Sequence, residues 1–137
     1  MLKSPETVLA RALAAAPEVA ILVGTRAYPV LAPASASLPF MTWRRAAIDR
    51  EQTLGVPAGM PRVTVEFSIY ATTYQSARQV ADSVRAVLDG YGGSFENTTV
   101  RQAALQDESD DFVTLAGTDL PPVYQITQRY DVMWSED

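Results

Sequence analysis

Carboxylates are the main reactive side chains of this chain, because it contains no histidine and no cysteine. Imidazole acid–base catalysis, thiol nucleophiles, disulfides and Cys/His zinc sites are thereby excluded. Lys3, near the N-terminus, is the only lysine. Two carboxylate pairs, Asp49 with Glu51 and Asp82 with Asp89, have the residue types for proton transfer. Such pairs need a pocket that shifts their pKa values, and the surrounding residues predict none. The sequence therefore names no catalytic residue, metal ligand or cofactor-binding residue, and no cofactor.

The densest charge is Asp107, Glu108, Asp110 and Asp111, written DESDD. A calcium loop of the EF-hand kind needs alternating ligands, a central glycine and a glutamate at its twelfth position. DESDD has no such glycine. It reads first as a solvated turn, then as an acidic patch facing a partner, and last as a cation site. Trp43, Arg44 and Arg45 form a second cluster. They read as a half-buried tryptophan beside two surface arginines, as a contact with another subunit, or as a stacking and phosphate-binding patch. Asp49, Arg50 and Glu51 begin a long polar stretch, Asp49–Pro61, with two glycines and two prolines. It is either a mobile hairpin tip or an arm that orders on a partner.

The elements that position these residues follow from periodicity. Arg62–Ala71 alternates: Val63, Val65, Phe67 and Ile69 on one side, Thr64, Glu66, Ser68 and Tyr70 on the other. This predicts an antiparallel strand with one face on a core. From Thr73 the period lengthens, and Tyr74, Ala77, Val80, Ala81, Val84, Val87 and Leu88 form one helical stripe. Thr73 is the expected N-cap and Gly90 the expected residue past the end. An N-terminal helix capped by Ser4, with Pro5 in its first turn, carries Val8, Leu9, Ala12, Leu13 and Ala16 on one face. After Pro17 comes a short helical piece or a buried loop. Arg26–Pro33 is extended, and its prolines confine it to an edge or a loop. Ala34–Ser37 is a small-residue loop. A strand follows over Pro39–Ile48. Tyr91–Asn97 is a turn and Thr98–Gln106 a strand. Gly117–Pro122 is a turn, and Pro122–Trp134 is the last strand. Tyr124, Ile126, Tyr130, Val132 and Trp134 share one side of that strand, with Gln128 the exception. The stripe is most simply core, although Tyr and Trp also favour interfaces.

Together these elements predict a single α+β domain over residues 1–137, with a mostly antiparallel sheet and two main helices packed on one face. The formal charge of −5 argues against wrapping nucleic acid non-specifically, since that affinity comes from lysine and arginine. The alanine-rich N-terminus is interrupted by Glu6, Arg11 and Glu18, so it has no signal-peptide core, and no stretch reaches the length of a membrane span. A soluble protein made in the cytoplasm is expected.

Four segments carry a resemblance in their order and spacing: ILVGTRAYPV (Ile21–Val30), LPFMTW (Leu38–Trp43), FSIYATTYQSARQVADSVRAVLDGY (Phe67–Tyr91) and YQITQRYDVMW (Tyr124–Trp134). With them the chain resembles the tail-completion proteins of long-tailed phages, the tail terminators or tail-to-head joining proteins of the gp17-like group. The resemblance implies a virion protein at the tail–head junction. It would form a ring of its own copies, commonly six-fold, that caps the tail tube, stops polymerisation and meets the head connector or stopper protein. DNA would pass through the lumen without specific binding, and no membrane or reaction is implied. In such a ring, Arg44 and Arg45 could pair with carboxylates of the next subunit. Asp107, Glu108, Asp110 and Asp111 could line the lumen, where like charges oppose phosphate binding. The alternatives are another neck or connector protein of similar fold, or a small α+β ligand-binding or regulatory module. The second alternative would require a dry apolar pocket.

Overall fold

The computed structural model describes residues 5–33, 36–49, 52–53, 56–57, 62–95, 98–113 and 123–136. Three helices, α1 (Pro5–Ala15), α2 (Pro17–Val23) and α3 (Tyr74–Leu88), accompany the strands β1 (Ala27–Pro29), β2 (Phe40–Asp49), β3 (Gln52–Thr53), β4 (Val56–Pro57), β5 (Arg62–Ala71), β6 (Gly93–Phe95), β7 (Thr98–Val113) and β8 (Val123–Glu136). Among the described residues no helix is long and apolar enough to cross a membrane.

The β5–α3 unit has the bounds its two periods predict. Val63, Val65, Phe67 and Ile69 are all buried. So are Ala77, Val80, Ala81, Val84 and Leu88 on α3, which packs on β5, β8 and β7. The Thr73 hydroxyl accepts a hydrogen bond from the Ser76 N–H at 3.1 Å, which caps the helix. Beyond Leu88, Gly90 adopts φ +85°, a conformation that glycine reaches without a Cβ clash.

Six strands form one sheet in the order β1-β2-β5-β8-β7-β6. Every neighbouring pair is antiparallel except β1 with β2, which is parallel, so the sheet is mixed but mostly antiparallel. β1 is an edge strand, as Pro29 requires. Register shifts at Arg45/Ala47 in β2 and at Val100/Gln102 and Leu105/Asp107 in β7 bend the sheet. β3 and β4 form a separate antiparallel two-stranded pair that lies in sequence between β2 and β5.

Several expectations are corrected. Of the two readings after Pro17, the short helical piece is the one found, as α2 beside the two main helices. Pro17 lacks the N–H that would continue α1, but its fixed φ suits a first helical position and starts α2 after an extended Ala16. Tyr91–Asn97 is not only a turn, because Gly93–Phe95 pairs with the start of β7. The acidic run Asp107–Asp111 is not a turn either. β7 continues through it to Val113, paired residue by residue with β8. Gln128 does not break the β8 stripe: it is fully buried on the same side as Ile126 and Tyr130. Tyr124, by contrast, is 40% exposed. Ser4, Ala34, Ser35 and the turn at Gly117–Pro122 lie outside the described residues.

Candidate interaction surfaces

Alternation along β5 gives the sheet two chemically distinct faces. On the Glu66 face, register places Arg44 of β2, Glu66 of β5, Arg129 of β8 and Asp107 of β7 opposite one another, a row of alternating sign across four strands. The Arg44 Nε donates to Glu66 Oε1 at 3.2 Å and its Nη2 to Oε2 at 3.4 Å, while the Arg129 Nε donates to Oε2 at 3.0 Å. Both arginines are half-exposed, so each pair is worth about 0–1 kcal/mol to the fold. Arg62 and Asp131 approach within 3.7 Å on the same face.

On the Phe67 face, Trp43 packs half-buried against the core. Arg45 reaches the α1 carboxylate of Glu6, to which its Nη2 donates at 3.0 and 3.1 Å. Adjacent Arg44 and Arg45 therefore point to opposite faces of the sheet, each with a carboxylate of its own chain.

The acidic strand divides in the same way. Glu108 and Asp110 turn towards α3, where Arg78 meets both and the Tyr74 hydroxyl donates to Asp110 Oδ2 at 2.9 Å. Burial works against the Arg78 charge. Hydrogen bonds to Glu108 and Tyr74 and the charges of Glu108 and Asp82 outweigh it and raise the pKa above the usual arginine value. Behind Glu108 lies a buried polar chain. Gln128 Nε2 donates to Glu108 Oε2 at 2.7 Å and to the Ala81 carbonyl at 2.9 Å, and Gln128 Oε1 accepts from the Tyr130 hydroxyl at 2.8 Å. Among the described residues no three carboxylates gather as a metal site.

Tyr130 carries a pH prediction. Burial first, then the negative charges of Asp89 and Glu108, partly offset by Arg85, raise its pKa. A group with a raised folded pKa contributes its stability in full below the unfolded tyrosine value of about 10, and loses it as pH climbs towards the folded value. Urea midpoints should therefore drop between about pH 8 and about pH 11, and Tyr130→Phe should make that drop shallower. An equal drop in both proteins would remove Tyr130 as a cause.

At the end of the sheet where β2 begins and β5 finishes, the surface is apolar. A groove of about 300 Å3 on the Glu66 face is lined chiefly by Val30, Leu31, Leu38, Phe40, Tyr70 and Val123. Val30 and Leu31 on its wall are 69% and 81% exposed, so it opens to solvent. On the opposite, Phe67 face stand the exposed aromatics Phe112, Tyr74 and Tyr124, the last two in edge contact at 6.2 Å between ring centroids.

These surfaces suit contacts between proteins better than a reaction, and comparison with known proteins agrees. The family model described as "Tail completion protein gp17" matches residues 7–131. The chain belongs to this family. Its role is accordingly structural, in completing a phage tail. No curated protein sequence matches the chain. Among solved structures, a chain of the "Virion of native gene transfer agent (GTA) particle" is similar, with a TM-score of 0.71 and 15% identity over 92% of this chain and 90% of that one. At that identity the likeness establishes the fold.

For a tail-completion protein, the expected contact residues fall in separate places. Trp43 and Arg45 lie towards the helices, and Arg44 lies on the Glu66 face. Asp49 ends β2, while Arg50 and Glu51 lie outside the described residues. Asp107, Glu108, Asp110 and Asp111 share one strand but look in two directions. The sequence alone did not point to the groove or to the exposed aromatics. The apolar pair Val30–Leu31 between Pro29 and Pro33, where no helix or long strand would bury it, was the available signal.

Proposed function

We propose that this tail-completion protein forms a ring of its own copies that caps the tail tube, stops its polymerisation and joins the tail to the head connector. The family match over residues 7–131 carries this reading. The geometry supports it through two unlike ends. The β3–β4 pair and the apolar groove sit at opposite ends of β2 and β5, roughly 30 Å apart at the strand rise per residue. One end would meet the tube and the other the connector. In this reading the helices stack on the Phe67 face and stiffen it. Trp43, Arg44, Arg45, Asp49, Arg50 and Glu51 supply subunit or partner contacts, and the acidic strand of Asp107, Glu108, Asp110 and Asp111 faces a partner or the lumen. Its charge would keep passing DNA from adhering. The protein catalyses nothing and acts in the virion at the tail–head junction.

The groove favours a second reading, a module for a small apolar ligand. Its exposed wall would leave much of such a ligand in water, so the assembly role is preferred. Particles assembled without this protein should carry tails of irregular length that are not joined to heads. Normal, joined tails in its absence would overturn the proposal.

A further inference from the structure

The assembly role leaves open how one copy holds the next, and the sheet has backbone to spare at both edges. β1 pairs only with Met41–Trp43 of β2, and β6 only with Thr98–Val100 of β7. Among the described residues, β2 beyond Trp43 and β7 beyond Leu105 therefore have a strand neighbour on one side only. Alternation of the ladder decides which residues point outward there. Met41 and Trp43 bond towards β1, so Arg45 is the next to face that way, and past the register shift at Arg45/Ala47 comes Ile48. Ala103 bonds outward to Gly90 and Tyr91, so beyond the shift at Leu105/Asp107 the outward residues are Glu108, Asp110 and Phe112. Rows of unpaired backbone N–H and C=O groups are templates for another strand.

Side chains leave these rows bare. Glu108 and Asp110 are held towards α3 by Arg78, Gln128 and Tyr74, and Arg45 towards α1 by Glu6. Their charges are met within the chain, so the backbone is what an edge partner would find. Carboxylates mark the ends of the β7 row instead: Asp89 accepts from the Leu105 N–H at 3.1 Å and Asp111 from the Phe112 N–H at 2.8 Å.

Direction and register suit a second copy. β2 and β8 run one way, β5 and β7 the other. A copy rotated about a ring axis keeps those directions, so its β2 arrives antiparallel to β7 and the alternation continues. Its β1 occupies the β2 edge as far as Trp43, where Val30 turns away at φ +63°. The nearest register that clears β1 sets Phe112 opposite Arg45, and then Asp110 opposite Ile48. Arg45 is level with Tyr130 of β8, through Val65, and Phe112 with Tyr124. That stagger is about 20 Å along the strands, over about 19 Å across the four strand spacings from one copy's β2 to the next. It corresponds to a strand tilt of roughly 45°, within the range of closed barrels. The Phe112 ring, 61% exposed, would gain Trp43 and Arg45 as cross-strand neighbours on the Phe67 face.

We propose that a second copy of this chain pairs its β2 edge antiparallel with the β7 edge, Arg45 opposite Phe112, so that the sheets of neighbouring copies run on as one. The contact is head-to-tail, the kind that generates a ring when its rotation closes. It rests on the ring reading and assigns the subunit contact to backbone pairing.

The chain has no cysteine, so engineered thiols report without background. Arg45→Cys, Phe112→Cys and Asp110→Cys are made as separate full-length proteins, checked for folding by circular dichroism, mixed in pairs at the highest soluble concentration and mildly oxidised. Residues opposite each other in a bonded pair lie about 5.5 Å apart at Cα, within disulfide reach, whereas the diagonal at about 7–8 Å is beyond it. The mixed 45–112 dimer should therefore exceed the 45–110 dimer and both same-site dimers about tenfold, a preference of about 1.4 kcal/mol. Adding Asp110→Pro to the Phe112→Cys protein removes an outward N–H that the fold does not use, and should abolish the excess while the protein stays folded. Adding Asp110→Ala, which removes the same carboxylate, should leave the excess in place. Statistical dimers, no cross-link, an excess that survives the proline, or unfolding by the proline would each overturn the contact. Tube-length measurements on the unsubstituted protein separate this from the ring reading. Capped tubes with statistical cross-links keep the tail-end role and discard this contact, and selective cross-links without capping keep the contact and discard the role.

Discussion

Replacing Phe67 with alanine is expected to cost about 3–5 kcal/mol of folding stability. Phe67 sits midway along β5, the strand between β2 and β8, and it is completely buried. Its ring meets that of Tyr130 edge-on, with centroids 5.8 Å apart and planes at 85°. Alanine removes the ring and leaves a cavity between sheet and α3 that the neighbouring strands, paired on both sides, cannot close. A domain of this size has about 5–15 kcal/mol in all, so the variant should lose a large share of its stability and unfold at a much lower urea concentration. Urea denaturation measures the loss. A cost under about 1 kcal/mol, within the range of a surface change, would mean that Phe67 is not central to the core.

Replacing Gln128 with leucine is expected to cost about 2–4 kcal/mol despite the gain in hydrophobicity. Leucine is of similar size, so the loss is polar. The Tyr130 hydroxyl loses its acceptor, and Glu108 Oε2 and the Ala81 carbonyl lose the same donor. A buried group left without its partner bears its full desolvation cost, whereas removing both partners together is far cheaper. Adding Tyr130→Phe to Gln128→Leu should therefore recover part of the loss, and a double-mutant cycle should give coupling of roughly 1 kcal/mol or more. Additive effects would contradict the hydrogen-bonded chain.

The contrast between these residues explains how much of the fold was legible in the sequence. Phe67 belongs to a strand buried on one face, and α3 presents one apolar stripe to it, so both periods are written in hydrophobicity alone. β7 beyond Leu105 carries no such signal. Its helix side meets the Arg78 guanidinium instead of an apolar surface, so carboxylates occupy positions where a period-two pattern would place valine or isoleucine. Gln128 is hidden for the same reason: its burial depends on partners at Ala81, Glu108 and Tyr130, spread through the chain and brought together only by the fold. Trp43, Arg44 and Arg45 look like one patch because they are consecutive. A strand turns alternate residues to opposite faces, so consecutive charges there are separated by the sheet itself. The groove depends on residues 30–33, 36 and 38, which belong to no helix or strand, lying beside the start of β2, a placement that no local pattern encodes.

The central claim is that this tail-completion protein ends tube growth, and the length distribution of tubes tests it most directly. Tail-tube protein from the same genome, polymerised with and without the full-length chain, is measured by electron microscopy. Shorter tubes bearing a ring of extra density at one end are predicted, with lengths that fall as more of the chain is added. Tubes of unchanged length and bare ends at every ratio would contradict the account.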